Sequence, residues 1–379
     1  MAYSGVALNR SDSFDLWKVT TRNYDWDDKS MDYLFPQREF LVVDQWFQKD
    51  RMQQDPGTEI ERQVVYRENG STTFYDPGET RTSSSMNVVA VLRLPYVSCY
   101  AEYSALDAEI RRNAGRAKLK GILSSKRGTA KMDMAVTLDE KGWDMPDTAN
   151  NKLPHGIPYW IVPITGAQVT AGTASGAHQG QNPTGFSTCA NIDASDSTYS
   201  RWRNYNAGWT NSSGEITEED LLRLGKMRRS LKFKSPHIVA DIHKPMYSKF
   251  RHYTCETIID SYSAALRRLK DDIGGNDPAR YYGAGMADTG EPMFFGSPVH
   301  LAEPLDTADT TNRGAYPWYS LNHDYFYPVV EQGMYFSEDG PWRTKEQPDL
   351  YTTYVELAFN FLCTNRQLAG GVISYVAAA

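Results

Sequence analysis

Seven histidines are the first candidates for chemistry: His155, His178, His237, His243, His252, His300 and His323. None forms the i, i+4 pair that sets two imidazoles on one helical face over a metal. His237 and His243, six apart, would at most flank the end of a strand, and the group reads as polar loop histidines. Cys99, Cys189, Cys255 and Cys363 contain no CxxC and have no His at ligand spacing, the pattern of reduced thiols in a cytoplasmic protein. Tyr282-Gly283-Ala284-Gly285 lacks the third glycine of a dinucleotide fingerprint and the lysine of a phosphate loop. No Gly-x-Ser-x-Gly elbow occurs. The acid pairs Glu218-Glu219 and Asp271-Asp272 are explained by a helix start and a turn. A glycosidase would need two carboxylates beside an aromatic platform, which 9 Trp and 24 Tyr could supply. A carbohydrate-active enzyme is therefore kept as one alternative, while the reading overall is a chain that is not an enzyme and needs no cofactor or metal.

One charged run stands out. Arg111, Arg112, Arg116, Lys118, Lys120, Lys126, Arg127 and Lys131 lie in a stretch without a single acid. Such a run can meet phosphates electrostatically, without reading sequence. It can equally be a solvated helical face or a partner for carboxylates on a neighbour. The whole chain carries 40 Lys and Arg against 47 Asp and Glu, net −7, which disfavours a dedicated nucleic-acid binder and favours solubility.

These residues must be positioned by elements that the sequence signals. The basic run lies on a helix predicted from Asp107 to Glu140, in which Leu119, Leu123, Ala130, Met134 and Leu138 recur near a 3.6-residue period. Gly115, Gly121 and Gly128 weaken it by about 1 kcal/mol each relative to Ala. Before it, Glu59–Glu68 and Ser71–Asp76 flank Asn69-Gly70, the strongest short-range hairpin signal, because a type I′ turn needs φ > 0 at both central residues. A two-stranded ribbon alone is marginal in water, so this arm is expected to lie on something else. Asn87–Leu94 follows as a buried strand closed by Pro95.

Residues 1–55 read as an arm with singly set aromatics, ending in a short amphipathic helix at Phe40, Leu41, Val42, Val43, Trp46 and Phe47. Residues 166–198 read as a surface loop. Thr217-Glu218-Glu219-Asp220 caps a helix whose inner face takes Leu221, Leu222 and Leu224. Ser235–Asp241 is predicted as a short buried strand, and Thr254–Lys270 as a helix with Ile258, Ile259, Tyr262, Ala265 and Leu266 inward. Tyr354–Leu362 is a strand. Hydrophobic residues at 40% support real cores. The opening ten residues hold no apolar core of signal-peptide length, and no window approaches 18 apolar residues, so no membrane is expected as partner.

The order of these segments resembles the major capsid proteins of tailed bacteriophages, the Hong Kong 97-type fold. The resemblance rests on the ribbon Gly57–Arg81 around Asn69-Gly70, the run from Leu92 through the basic helix, Gly156-Ile157-Pro158-Tyr159-Trp160, and Phe359–Gln367. It implies an α+β chain. The N-terminal arm would span 1–55, the extended loop 56–86, and a peripheral domain with a long spine helix 87–163. An axial α/β domain would span 164–325, and 326–379 would return to the peripheral domain. It implies self-assembly into hexamers and pentamers of an icosahedral shell around packaged double-stranded DNA. It also implies a separate scaffold protein, a portal, a candidate decoration protein, assembly in the host cytoplasm and a final location in the virion capsid. Under it, Glu59, Arg62, Tyr66, Arg67, Asn69, Gly70, Phe74 and Tyr75 would meet an adjacent subunit. Arg112, Arg116, Lys120, Lys126, Arg127 and Lys131 would be candidates for contact with DNA or scaffold on the inner surface. Residues 59–83 contain no Lys, so the covalent welding of some family members is not expected. An encapsulin-like compartment shell, similar in fold, is the first alternative.

Overall fold

In the computed structural model, residues 39–80, 87–112, 116–147, 152–233, 249–272, 285–286, 292–307, 312–343 and 348–377 are described. Most of the expected arm and the expected strand Ser235–Asp241 lie outside these residues.

Two sheets and a ribbon carry the chain. The ribbon pairs β2 (Glu59–Val65) with β3 (Val89–Pro95). The first sheet is built on β14 (Leu350–Cys363). One side of β14 pairs with β4 (Val97–Leu106), the other with β12 (Phe326–Glu331) and β13 (Ser337–Arg343). β1 (Gln53–Asp55) adds in parallel to β12. The second sheet runs β5 (Ala177–Gly180), β6 (Asn204–Gly208), β15 (Gly370–Tyr375), β11 (Ala315–Asn322), β7 (Phe250–Thr254), β10 (Ser297–Leu301), β9 (Pro292–Phe294) and β8 (Gly285–Met286).

The predicted long helix is present as α1 (Asp107–Arg112) and α2 (Arg116–Gly142). Leu123, Ala130, Met134 and Leu138 are buried, as their period requires, with the last three packed beside Ala101 and Tyr103 of β4. α3 (Glu218–Ser230) begins in a full capping box between Thr217 and Asp220. Its inner face takes Leu221 and Leu224, whereas Leu222 is exposed: one residue on from Leu221 is a rotation of about 100° away from the core. α4 (Glu256–Asp272) buries Ile258, Tyr262 and Ala265, with Ile259 and Leu266 partly buried against them.

Three expectations change. The expected loop at 166–198 holds a capped helical turn, Gly166–Thr170, and the edge strand β5. β4 was not anticipated, yet Val97, Cys99, Ala101, Tyr103 and Ala105 alternate with Ser98, Tyr100, Glu102, Ser104 and Leu106, the period of a half-buried strand. The C-terminal segment does not return to the first sheet alone. β14 lies there, but β15 inserts between β6 and β11 of the second sheet.

The sheets are joined by the helical turn Val42–Trp46, which confirms a short helix there, of π type. Trp46 is fully buried, with ring centroids 5.3 Å from Phe326 and from Phe361 of the first sheet and 5.1 Å from Trp143. Its Nε1 donates to Tyr253 Oη of the second sheet at 3.3 Å. After α2 the chain turns sharply at Gly156. A Cβ there would lie 2.2 Å from the Asp144 carbonyl oxygen, so only glycine fits.

Candidate assembly surfaces

The ribbon is paired differently from what the Asn69-Gly70 signal suggests. Glu59 pairs with Pro95 and Val65 with Val89, so the return strand is Val89–Pro95 and not Ser71–Asp76, which forms no strand. The reason lies in burial. Ile60, Leu92 and Leu94 enter the core, whereas the Ser/Thr-rich return has little apolar surface to bury. Gly70 has a left-handed φ of 63°, but Asn69 does not share it, so the type I′ turn that needs both is not formed.

Asn360 fixes the ribbon's root. Its Nδ2 donates to the Pro95 carbonyl and to His155 Nδ1, each at 2.8 Å, and its Oδ1 accepts from the His155 N–H at 2.9 Å. Burial pushes the His155 imidazole down to about 4. Arg62 is paired with Asp55 and accepted by Gln53 Oε1 at 3.2 Å, so its charge is spent within the subunit.

Farther out, the Tyr66 ring is buried against Tyr199 at 4.7 Å, and its hydroxyl donates to the Asn87 carbonyl at 2.8 Å. Arg67 donates to the same carbonyl at 2.9 Å, and Glu68 pairs with Arg201 at 2.6 Å. Arg201 and Tyr199 carried no sequence signal, since only the fold brings them to the ribbon. Of the residues expected to meet a neighbour, Arg62, Tyr66 and Arg67 bind their own subunit. Glu59, Asn69, Gly70, Phe74 and Tyr75 are exposed, Phe74 completely.

The basic run divides as well. Lys126 Nζ meets Glu109 Oε2 at 2.7 Å and donates to the Ser104 carbonyl at 3.0 Å. That hydrogen bond holds the Glu109 carboxyl below its ordinary range. Arg127 and Lys131 converge on Glu338 of β13, at 2.5 and 3.1 Å. All three of these cations are engaged by carboxylates of the same chain. The side chains of Arg112, Arg116 and Lys120 lie outside the described residues.

The buried polar groups are structural. His155, His252, His300 and His323 are core residues rather than loop residues, each on or beside a strand or core turn. His252 is pushed down to about 3 by burial, and its Nδ1 lies 2.8 Å from Ser320 Oγ. His237 and His243 lie outside the described residues. Arg366 is fully buried and is held by neutral acceptors. It donates to the carbonyls of Trp160, Trp202 and Gln181 at 2.7, 3.1 and 2.9 Å and to Asn204 Oδ1 at 3.1 Å. Four acceptors on one guanidinium weld the β14–β15 turn to the second sheet. Among the described residues no three His, Cys, Asp or Glu side chains are grouped to hold a metal. One cleft, of about 650 Å³, is lined by Cys255, Asp306, Tyr316 and Tyr375. Burial raises the Cys255 thiol, and Asp306 accepts from the Glu256 N–H at 2.8 Å and so caps the α4 start.

No family model matches this sequence, and no curated protein does. Solved structures do. A chain of the Cyanophage A-1(L) capsid asymmetric unit aligns over 96% of this chain and 99% of its own, at 16% identity and TM-score 0.52. A chain from the capsid of the native GTA particle aligns over 94% and 97%, at 10% identity and TM-score 0.52. A chain of Microbacterium phage Oxtober96 aligns over 98% and 100%, at 9% identity and TM-score 0.50. At these identities the likeness establishes the fold, and that fold is the α+β Hong Kong 97-type.

Proposed function

We propose that this chain, with its Hong Kong 97-type fold, is the major capsid protein of a tailed bacteriophage. Its copies form hexamers and pentamers of an icosahedral shell around double-stranded DNA. The observation that carries this reading is the ribbon. It is rooted in the core at Ile60, Leu92 and Leu94, yet its far loop presents Phe74 fully to solvent. An isolated subunit gains nothing from an exposed phenylalanine on an outlying loop, whereas a neighbouring copy that buries it gains about 2 kcal/mol per contact. Repeated around a ring, such contacts close a shell.

In this reading residues 1–55 form the arm, 56–95 the extended loop, and β4, the long helix, β12, β13 and β14 the peripheral domain. The second sheet, β15 included, forms the axial domain. The absence of Lys from residues 59–83 fits a shell held by noncovalent contacts. A separate scaffold protein, a portal and a decoration protein are its partners, with assembly in the host cytoplasm. Nonspecific contact with DNA would fall to Arg112, Arg116 and Lys120. The chain performs no catalysis in this role.

The test is expression of the full chain alone and with a scaffold encoded beside it, followed by electron microscopy of the sedimentable fraction. Closed shells or capsomer rings are expected. A monodisperse monomer in the presence of scaffold overturns the proposal, and shells that package a protein cargo in place of nucleic acid identify a compartment instead.

A further inference from the structure

The first sheet has two faces with different charge. On the α2 side, Glu338 is neutralised by Arg127 and Lys131. On the other side, register places Tyr100 and Glu102 of β4 beside Glu356 and Tyr354 of β14, with Asp339 and Trp342 next on β13. Tyr100 is 66% exposed and Trp342 is 56% exposed, far more than side chains of this size are when packed. The Tyr100 and Tyr354 rings lie 5.8 Å apart, which confirms that they share the face. Among the described residues, none of Glu102, Asp339 and Glu356 has a cationic partner.

We propose that this face docks an arginine-rich segment of another polypeptide. A guanidinium is the one common side chain that both stacks on exposed Tyr or Trp and pairs with a carboxylate in a planar fork. Tyr100 opposite Glu356, and Glu102, Tyr354 and Asp339 in the next row, set aromatic beside acid on strands about 5 Å apart, while Trp342 stands opposite Thr352. Nucleic acid is disfavoured by three unpaired carboxylates. A sugar chain needs a flat ring platform, and here the two tyrosines meet nearly edge-on, with 75° between their planes. The proposal goes beyond shell formation and is read on the full chain whether or not shells form.

Fluorescence anisotropy of a labelled oligo-arginine peptide against the full chain tests it. Saturable binding is expected, at least tenfold weaker in the triple variant Glu102→Gln, Asp339→Asn, Glu356→Gln and severalfold weaker in Trp342→Ala. Removing the same charge elsewhere, by Asp50→Asn, Glu218→Gln and Glu303→Gln, should leave affinity unchanged. Equal weakening by both triple variants would reduce the effect to net charge and overturn the proposal. So would unchanged binding in the first triple variant. Binding of glycans in place of the peptide, or self-association abolished by Trp342→Ala, would assign the face to a different occupant and overturn it as well.

Discussion

Arg127 and Glu338, 211 positions apart, meet at 2.5 Å between α2 and β13, with side chains only 15% and 13% exposed. The pair ties the long helix to the first sheet at a point where the hydrophobic stripe alone would permit sliding. Lys131 closes on the same carboxylate at 3.1 Å. A stretch of basic sequence is thereby part of the subunit's own framework.

Replacing Lys126, Arg127 and Lys131 together by Gln is expected to lower subunit stability by about 2–3 kcal/mol, because Glu338 and Glu109 lose their partners. DNA content per intact shell should stay at the wild-type value. Denaturant unfolding of the subunit and absorbance ratios of purified particles check both halves. Reduced DNA at unchanged stability would return these cations to the packaged genome.

Gly70→Pro should leave the subunit soluble and folded while cutting shell yield severely. Gly70 sits at φ 63°, a value closed to proline, in a loop whose residues are exposed. Sedimentation of shells from the variant decides the matter. A wild-type yield would remove the loop from assembly.

Phe74→Asp changes a side chain that touches no core, so subunit stability should move by less than about 0.5 kcal/mol. Assembly should fail or slow strongly, since a charge would enter the contact with the neighbour. Thermal unfolding and light-scattering assembly kinetics, measured on the same preparation, separate the two effects.

Stability should fall as pH drops from about 6.5 toward 4. His155 is neutral in the folded subunit down to about 4, whereas in the unfolded chain it takes a proton near 6.5. Across that window the unfolded state binds more protons, so acid favours unfolding, by up to about 3 kcal/mol from this residue. His155→Gln should flatten that part of the profile in urea unfolding. An unchanged slope would mean that His155 does not govern it.

Local chemistry was legible in the sequence wherever neighbours along the chain decide the outcome. The Thr217–Asp220 capping box, the stripe on α2 and the inward face of α4 all follow from spacing within a few residues. The ribbon's pairing was not legible, because Asn69-Gly70 nominates the nearest return strand while burial of Leu92 and Leu94 selects a later one. The partners of Lys126, Arg127 and Lys131 lie on other elements, so their charges looked free. The core histidines were misread for the same cause: Ser320, Asn360 and Tyr253 reach them only through the fold.

β15 has a consequence for synthesis. Residues 370–375 leave the ribosome after every other described strand, yet they lie between β6 and β11. β6 ends at Gly208, so roughly 165 residues separate its emergence from that of its partner, a wait of about ten to thirty seconds at ordinary elongation rates. Once β11, which ends at Asn322, has also emerged, the nascent chain carries two strand edges with an empty lane between them for roughly the last 50 residues of that interval. A chain broken off early keeps that lane open, and the finished subunit is distinguished from the fragment by its last strand.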